Sequence, residues 1–143
     1  MSSTVHASAE RPPLLRSVLA AQSALTAAFV VVLTLWFGRM AAAGVGPEEM
    51  RSGAYAPKDL VPFGLSGANP LTWLYGAVSL LYLAGLVAGP LLAVHGVVLL
   101  ARDRSAMSRR TWRVLLALTV GAVVVAASRF TPVGADLHGW WLD

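Results

Sequence analysis

The chain of 143 residues contains no cysteine. Disulfides, thiolate metal sites and cysteine nucleophiles are thereby excluded. It has no isoleucine, and only one lysine (Lys58), one asparagine (Asn69) and one glutamine (Gln22). Charge is scarce too: 13% of the residues are charged, against roughly 25% in an ordinary soluble domain. No Gly-rich phosphate loop, G-x-S-x-G turn or H-E-x-x-H pair occurs. Glu48 and Glu49 are adjacent, so on a helix they point to different sides rather than forming a carboxylate pair. These absences lead to the expectation of a non-enzymatic chain that needs no cofactor, metal or small-molecule substrate.

What is present is apolar. Hydrophobic residues make up 57% of the chain, and the mean hydropathy is +0.66. Alanine, glycine, valine and arginine dominate, a bias that points to a GC-rich bacterial genome. The apolar residues gather into three runs: Ser17 to Phe37, Leu71 to Ala101 and Trp112 to Ser128. A helix needs about 20 apolar residues to cross a hydrocarbon core of ~30 Å. The third run reaches that length if Arg129 snorkels outward and Phe130 is counted.

The expected fold is therefore all-α, an integral membrane protein with three transmembrane helices. Residues 1–16 read as a flexible cytoplasmic tail and 17–38 as the first span. Residues 39–70 form a Gly/Pro-rich outer loop, and 71–101 the second span with a kink at Pro90. Residues 102–111 form a basic inner loop, 112–130 the third span, and 131–143 an outer tail. No internal repeat is found.

Charge placement sets the expected orientation. Arg102, Arg104, Arg109, Arg110 and Arg113 crowd the second connection against Asp103 alone, and Arg11 and Arg16 precede the first span. By the positive-inside rule the N-terminus and the basic loop face the cytoplasm, and the C-terminus faces outward. The formal charge of +4 and pI near 10.4 do not argue for nucleic acid, because the arginines sit where topology needs them. Arg11, Arg16, the first run and Ala41-Ala42-Ala43 also resemble a secretory signal. However, the run exceeds the usual apolar core of about 7–15 residues, and Arg39 intervenes. A retained helix is expected.

Few residues stand out as chemistry. His95 lies within the second run, about 10 Å inside Arg102 at 1.5 Å per residue. An ionisable residue within a span is a functional candidate by default. It fits an axial haem ligand or quinone contact shared with a partner subunit, a proton-relay group, or a neutral imidazole bonded to a neighbouring helix. The other histidines, His6 and His138, stand at different depths, and no carboxylate lies inside the runs. The structural role is preferred, with Gln22, clustered with Ser23 and Thr26 in the first run, as the expected hydrogen-bond partner. Pro90 releases the carbonyl of Leu86 from its helical bond.

Small residues four apart let helix backbones approach. Ala20, Ala24 and Ala28 do this in the first run, Gly85 and Gly89 in the second, and Ala117 and Gly121 in the third. Trp36, Trp73, Trp112, Trp140 and Trp141 read as interfacial anchors. Gly46 to Gly53, with proline first, acids in the first turn and glycine last, reads as one short helix in the outer loop.

The functional expectation is a small accessory or structural subunit of a bacterial plasma membrane. It would touch lipid and either itself or a larger membrane complex. The alternatives are a redox-complex anchor, with His95 against haem or quinone, and a small holin-like pore-former. The pore reading is weakened by the lack of a polar stripe along any one run.

Overall fold

The computed structural model describes residues 13–142. The expected tail over residues 1–12, with His6 and Arg11, lies outside the described residues, as does Asp143. Five helices follow in order: α1 (Pro13–Ala43), α2 (Pro47–Met50), α3 (Pro70–Arg102), α4 (Arg109–Ser128) and α5 (Pro132–Leu142). Two 3₁₀ turns, Pro57–Leu60 and Arg104–Ala106, lie in the connections. Among the described residues there is no strand. Helices α1, α3 and α4 are each long and apolar enough to cross a membrane, so the chain has the make-up of a multi-pass membrane protein.

The ends of these helices follow from local chemistry. α1 stops at Gly44, which takes the left-handed conformation at φ 67°. The N–H of Val45 then bonds back to the carbonyl of Met40 at 3.2 Å. This is the Schellman closure, which favours glycine because a Cβ is costly at that φ. α3 starts on Asn69, whose side chain accepts from the N–H of Leu71 at 3.0 Å, with Pro70 supplying the preset first φ. The same side chain donates to the carbonyls of Pro62 and Gly64, at 2.7 and 2.9 Å. The only asparagine thus caps a helix and pins the loop before it. Ser108 caps α4 by accepting from the N–H of Thr111 at 3.2 Å.

The three long helices run up, down and up, each touching the other two. Phe29 of α1 stacks on Tyr82 of α3, with ring centroids 6.4 Å apart. Further inward, Gln22 of α1 meets Leu92 of α3 and Thr119 of α4. Leu15, Val18 and Leu115 pack together at the end of the bundle where α1 begins. Toward the end where α1 finishes, a larger cluster joins Phe29, Val32, Trp36, Tyr82, Leu137 and Trp141. α3 runs unbroken through Pro90.

α4 is the short member. Its 20 residues span about 30 Å, while the 31 residues of α1 and 33 of α3 span about 46 and 50 Å. From the Gln22–Thr119 contact, the end of α4 falls level with about Val31, and α1 continues to Ala43. α5 fills the space beside that extension. The turn between them is tight: Thr131 Oγ1 donates to the carbonyl of Ser128 and accepts from the N–H of Gly134. A Cβ on Gly134 would overlap the Ser128 carbonyl oxygen, so only glycine fits.

The C-terminal segment is therefore a docked helix rather than the expected outer tail. Trp140 and Trp141 are 1% and 4% exposed, and Trp36 is 1% exposed. All three are buried within the chain, because the shortness of α4 opens a site for large rings. Trp140 Nε1 donates to the carbonyl of Tyr55 at 2.7 Å, and Arg51 pairs with Asp136 at 2.8 Å. These contacts fasten the connection between α1 and α3 onto α5. The helix expected between Gly46 and Gly53 is present as the single turn of α2.

Candidate functional site

Polar groups converge on the axis of the bundle. Gln22, only 1% exposed, donates from Nε2 to the carbonyl of Leu92 at 3.0 Å and to Thr119 Oγ1 at 3.5 Å. Its Oε1 is buried and has no hydrogen-bond partner among the described residues. Gly96 makes the crossing possible. A Cβ there would overlap Thr119 Oγ1 and stand 2.9 Å from Gln22 Nε2.

The expected bond between Gln22 and His95 is not formed. Gln22 does reach α3 at that depth, but it meets the face carrying Leu92 and Gly96. His95 follows one residue before Gly96 and is rotated by about 100°, so it is exposed on the outer surface of the bundle. Among the described residues no hydrogen bond or ring contact reaches it.

The small residues divide in the same way. Ala28 is buried at 3% exposure. Gly85 packs against Leu25, and Gly121 against Thr26. Ala24 and Gly89 are half-buried, whereas Ala20 and Ala117 are exposed.

One site residue was hidden from sequence reasoning. Arg129 follows the last residue of α4 and was expected to snorkel outward. Instead its guanidinium lies 5.7 Å from the centroid of the Tyr82 ring. Its Nη2 would stand 3.7 Å from a Cβ on Gly85. The reason is geometric: side chains tilt toward the N-terminus of their helix, so an arginine just past the C-terminal end of α4 leans back into the bundle. That rule was available from the sequence once the direction of α4 had been set.

The depth follows from the α1 register. Phe29, which stacks on Tyr82, lies thirteen residues from Arg16 and ten from Arg39. These separations correspond to about 20 and 15 Å. Arg129 thus reaches the middle third of the apolar length. Among the described residues no carboxylate pairs with it; the only ion pair is Arg51–Asp136. Arg129 Nε is buried without a hydrogen-bond partner. A cation near the centre of a bilayer costs from about 3 to more than 10 kcal/mol, and a cation–π contact returns about 1–2 kcal/mol. The cation–π contact therefore offsets only part of that cost.

Arg129 and Gln22 line one cavity of about 20 Å³, together with Tyr82, Gly85, Gly89 and Pro90 of α3 and apolar residues of α1 and α4. From α5, His138 approaches Tyr82, with centroids 6.1 Å apart. Its Nδ1 is buried and unpartnered. No group of three or more potential metal ligands occurs among the described residues. The arrangement supplies a fixed cation, an amide oxygen and aromatic walls, and so can hold a small polar or charged species.

Comparisons with known protein families, curated proteins and solved structures find no match.

Proposed function

We propose that this chain is a small non-catalytic subunit of the bacterial plasma membrane. It acts through helix–helix contacts with a larger membrane complex or with further copies of itself. The observation that carries this reading is the outer face of α3. Ala84, Leu91 and His95 are exposed there, and Ala88 is half-buried between them. Ala84 and Ala88 are four residues apart and neither is fully covered within the bundle, a spacing that admits a close neighbour. An imidazole facing hydrocarbon leaves its donor and acceptor unmet, and a neighbouring helix would meet them. Charge placement supports a cytoplasmic N-terminus and an outer C-terminus.

The test is purification of the tagged chain in mild detergent, with wild type and Ala84→Leu/His95→Leu compared side by side. The reading expects stoichiometric partner subunits or a defined oligomer that the double variant loses. A wild-type chain that is monomeric and alone contradicts it. Reporter fusions at Ser105 and at the C-terminus are expected on opposite sides of the membrane, and matching sides would defeat the proposed topology.

The exposure of His95 favours one second reading, an anchor in a redox complex. On that reading the imidazole meets a haem or quinone held jointly with a partner. It expects a Soret band or a bound quinone in the purified complex that His95→Ala removes.

A further inference from the structure

We infer that the groove between α1, α3 and the Pro57–Leu60 turn binds one molecule of phosphatidylethanolamine. An acyl chain lies in the groove, and Lys58 and Asp59 beside it meet the zwitterionic headgroup. The inference rests on shape, depth and charge taken together. It goes beyond the subunit role and uses a different part of α3 from the His95 face.

Shape comes first. The groove has a volume of about 280 Å³, close to the lower end for small-ligand clefts, about 300 Å³. Val31 lines it from α1, Leu74 and Val78 from α3, and Val61 from the connection between them. Trp141 of α5 and Tyr75 also line it, with their ring centroids 5.2 Å apart. Every lining side chain is aliphatic, proline or aromatic. A methylene group takes about the space of a water molecule, about 30 Å³, so the groove holds about nine of them. The rest of a chain continues into the bilayer. One turn of a helix, about 10 Å across and 5.4 Å long, exceeds the space.

Depth comes second. α1 and α3 are the two longest of the membrane-length helices, so a groove between them opens to hydrocarbon. Val31 lies two residues past Phe29, which brings the groove to within about 3 Å of the Phe29–Tyr82 level. Near the start of α3 a rim of large side chains stands free: Phe63 is 100% exposed, Trp73 70% and Leu65 51%. Exposed aromatics at the end of a span mark the bilayer interface. The rim is held in place. Trp73 Nε1 donates to the carbonyl of Gly67 at 3.0 Å, and Asn69 bonds the carbonyls on either side of Phe63. The rim therefore sets the mouth of the groove at headgroup level and its body at acyl-chain level.

Charge comes third. Lys58 and Asp59 are both exposed. They line a hollow that shares Val61 and Pro62 with the groove. Among the described residues neither forms an ion pair. A cation and an anion side by side match a headgroup that carries a phosphate and an ammonium. Lys58 donates to the phosphate, and the ammonium donates to the Asp59 carboxylate. An anionic headgroup is repelled by Asp59, and the trimethylated headgroup of phosphatidylcholine has no N–H to donate. Lipid tails are as apolar as the groove itself, so the headgroup selects the lipid.

The experiment is native mass spectrometry of the full chain, delipidated in mild detergent. It is titrated with phosphatidylethanolamine, phosphatidylcholine or phosphatidylglycerol carrying the same acyl chains. One phosphatidylethanolamine per chain is expected, saturating before either of the other lipids. Leu74→Trp fills the groove from a position that is 60% exposed and should abolish that binding. Lys58→Gln should weaken it about fivefold, the upper worth of an exposed ion pair. Asp59→Asn should remove the preference over phosphatidylcholine. These two variants change exposed side chains and decide the matter if Leu74→Trp does not fold. Equal binding of the three lipids by the wild type overturns the inference. So does binding undiminished in the variants, which would place the lipid elsewhere on the bundle. A chain that retains a neutral isoprenoid and takes no phospholipid also overturns it.

Discussion

Gly134→Ala tests whether α5 is docked as described. The added Cβ overlaps the carbonyl oxygen of Ser128 and stands 2.9 Å from Arg129 Cα. Both obstacles are backbone atoms, so no rotamer change relieves them. Either the α4–α5 turn opens or α5 shifts as a body, taking Leu137, Trp140 and Trp141 out of register with α1 and α3. Overpacking of a close contact costs about 1–3 kcal/mol, and backbone obstruction places this case in the upper half of that range. A loss of ~2 kcal/mol lowers the melting temperature of a chain this size by about 5–10 °C. The assay is thermal unfolding in nanodiscs followed by tryptophan fluorescence, which Trp140 and Trp141 report directly. Gly139→Ala is the internal control. It lies on the same helix with no atom within 4 Å of the added Cβ, so it should be neutral or stabilise by up to about 1 kcal/mol, as alanine for glycine in a helix does. Equal stability of the two variants would refute the tight turn and the docking built on it.

Three further outcomes are expected. Asn69→Ala should cost about 1 kcal/mol as a lost helix cap, and hydrogen exchange over residues 62–71 should rise because the bonds to Pro62 and Gly64 vanish as well; unchanged exchange would count against the cap. Gly96→Val should push Gln22 off the Leu92 carbonyl and separate α1 from α3, lowering thermal stability by about 1–3 kcal/mol, whereas Gly76→Val, with no atom near its Cβ, should cost less. Arg51→Ala breaks a pair whose arginine side chain is 58% exposed; unfolding measurements should show a change below about 1 kcal/mol that shrinks in high salt.

The three long helices were legible because an apolar run of membrane length is a strong signal. Their rotation was not. In a bundle that also faces lipid, packed and outer faces are both apolar, so no amphipathic stripe shows which way a residue points. His95 and Gly96 show the consequence. Gln22 was matched to the right depth on α3, and one residue of rotation moved the partner from an imidazole to the carbonyl of Leu92. α5 escaped for another reason. Its 11 residues, with Gly134 and Gly139 inside, form a weak helix alone, and what stabilises it is the gap above the short α4. Arg129 stands at the end of an apolar run, where sequence position alone fits a terminal anchor; its place in the bundle depends on the back-tilt of the side chain.

The outer face of α3 can be tested where the protein works. A photocrosslinking residue placed at Leu91 in living cells, beside His95, is compared with one at Val124, which is exposed on α4. The proposed role requires a discrete protein adduct, a named subunit or a second copy, from position 91 and not from position 124. Lipid adducts alone at both positions would show that α3 faces only the bilayer and would contradict the subunit role.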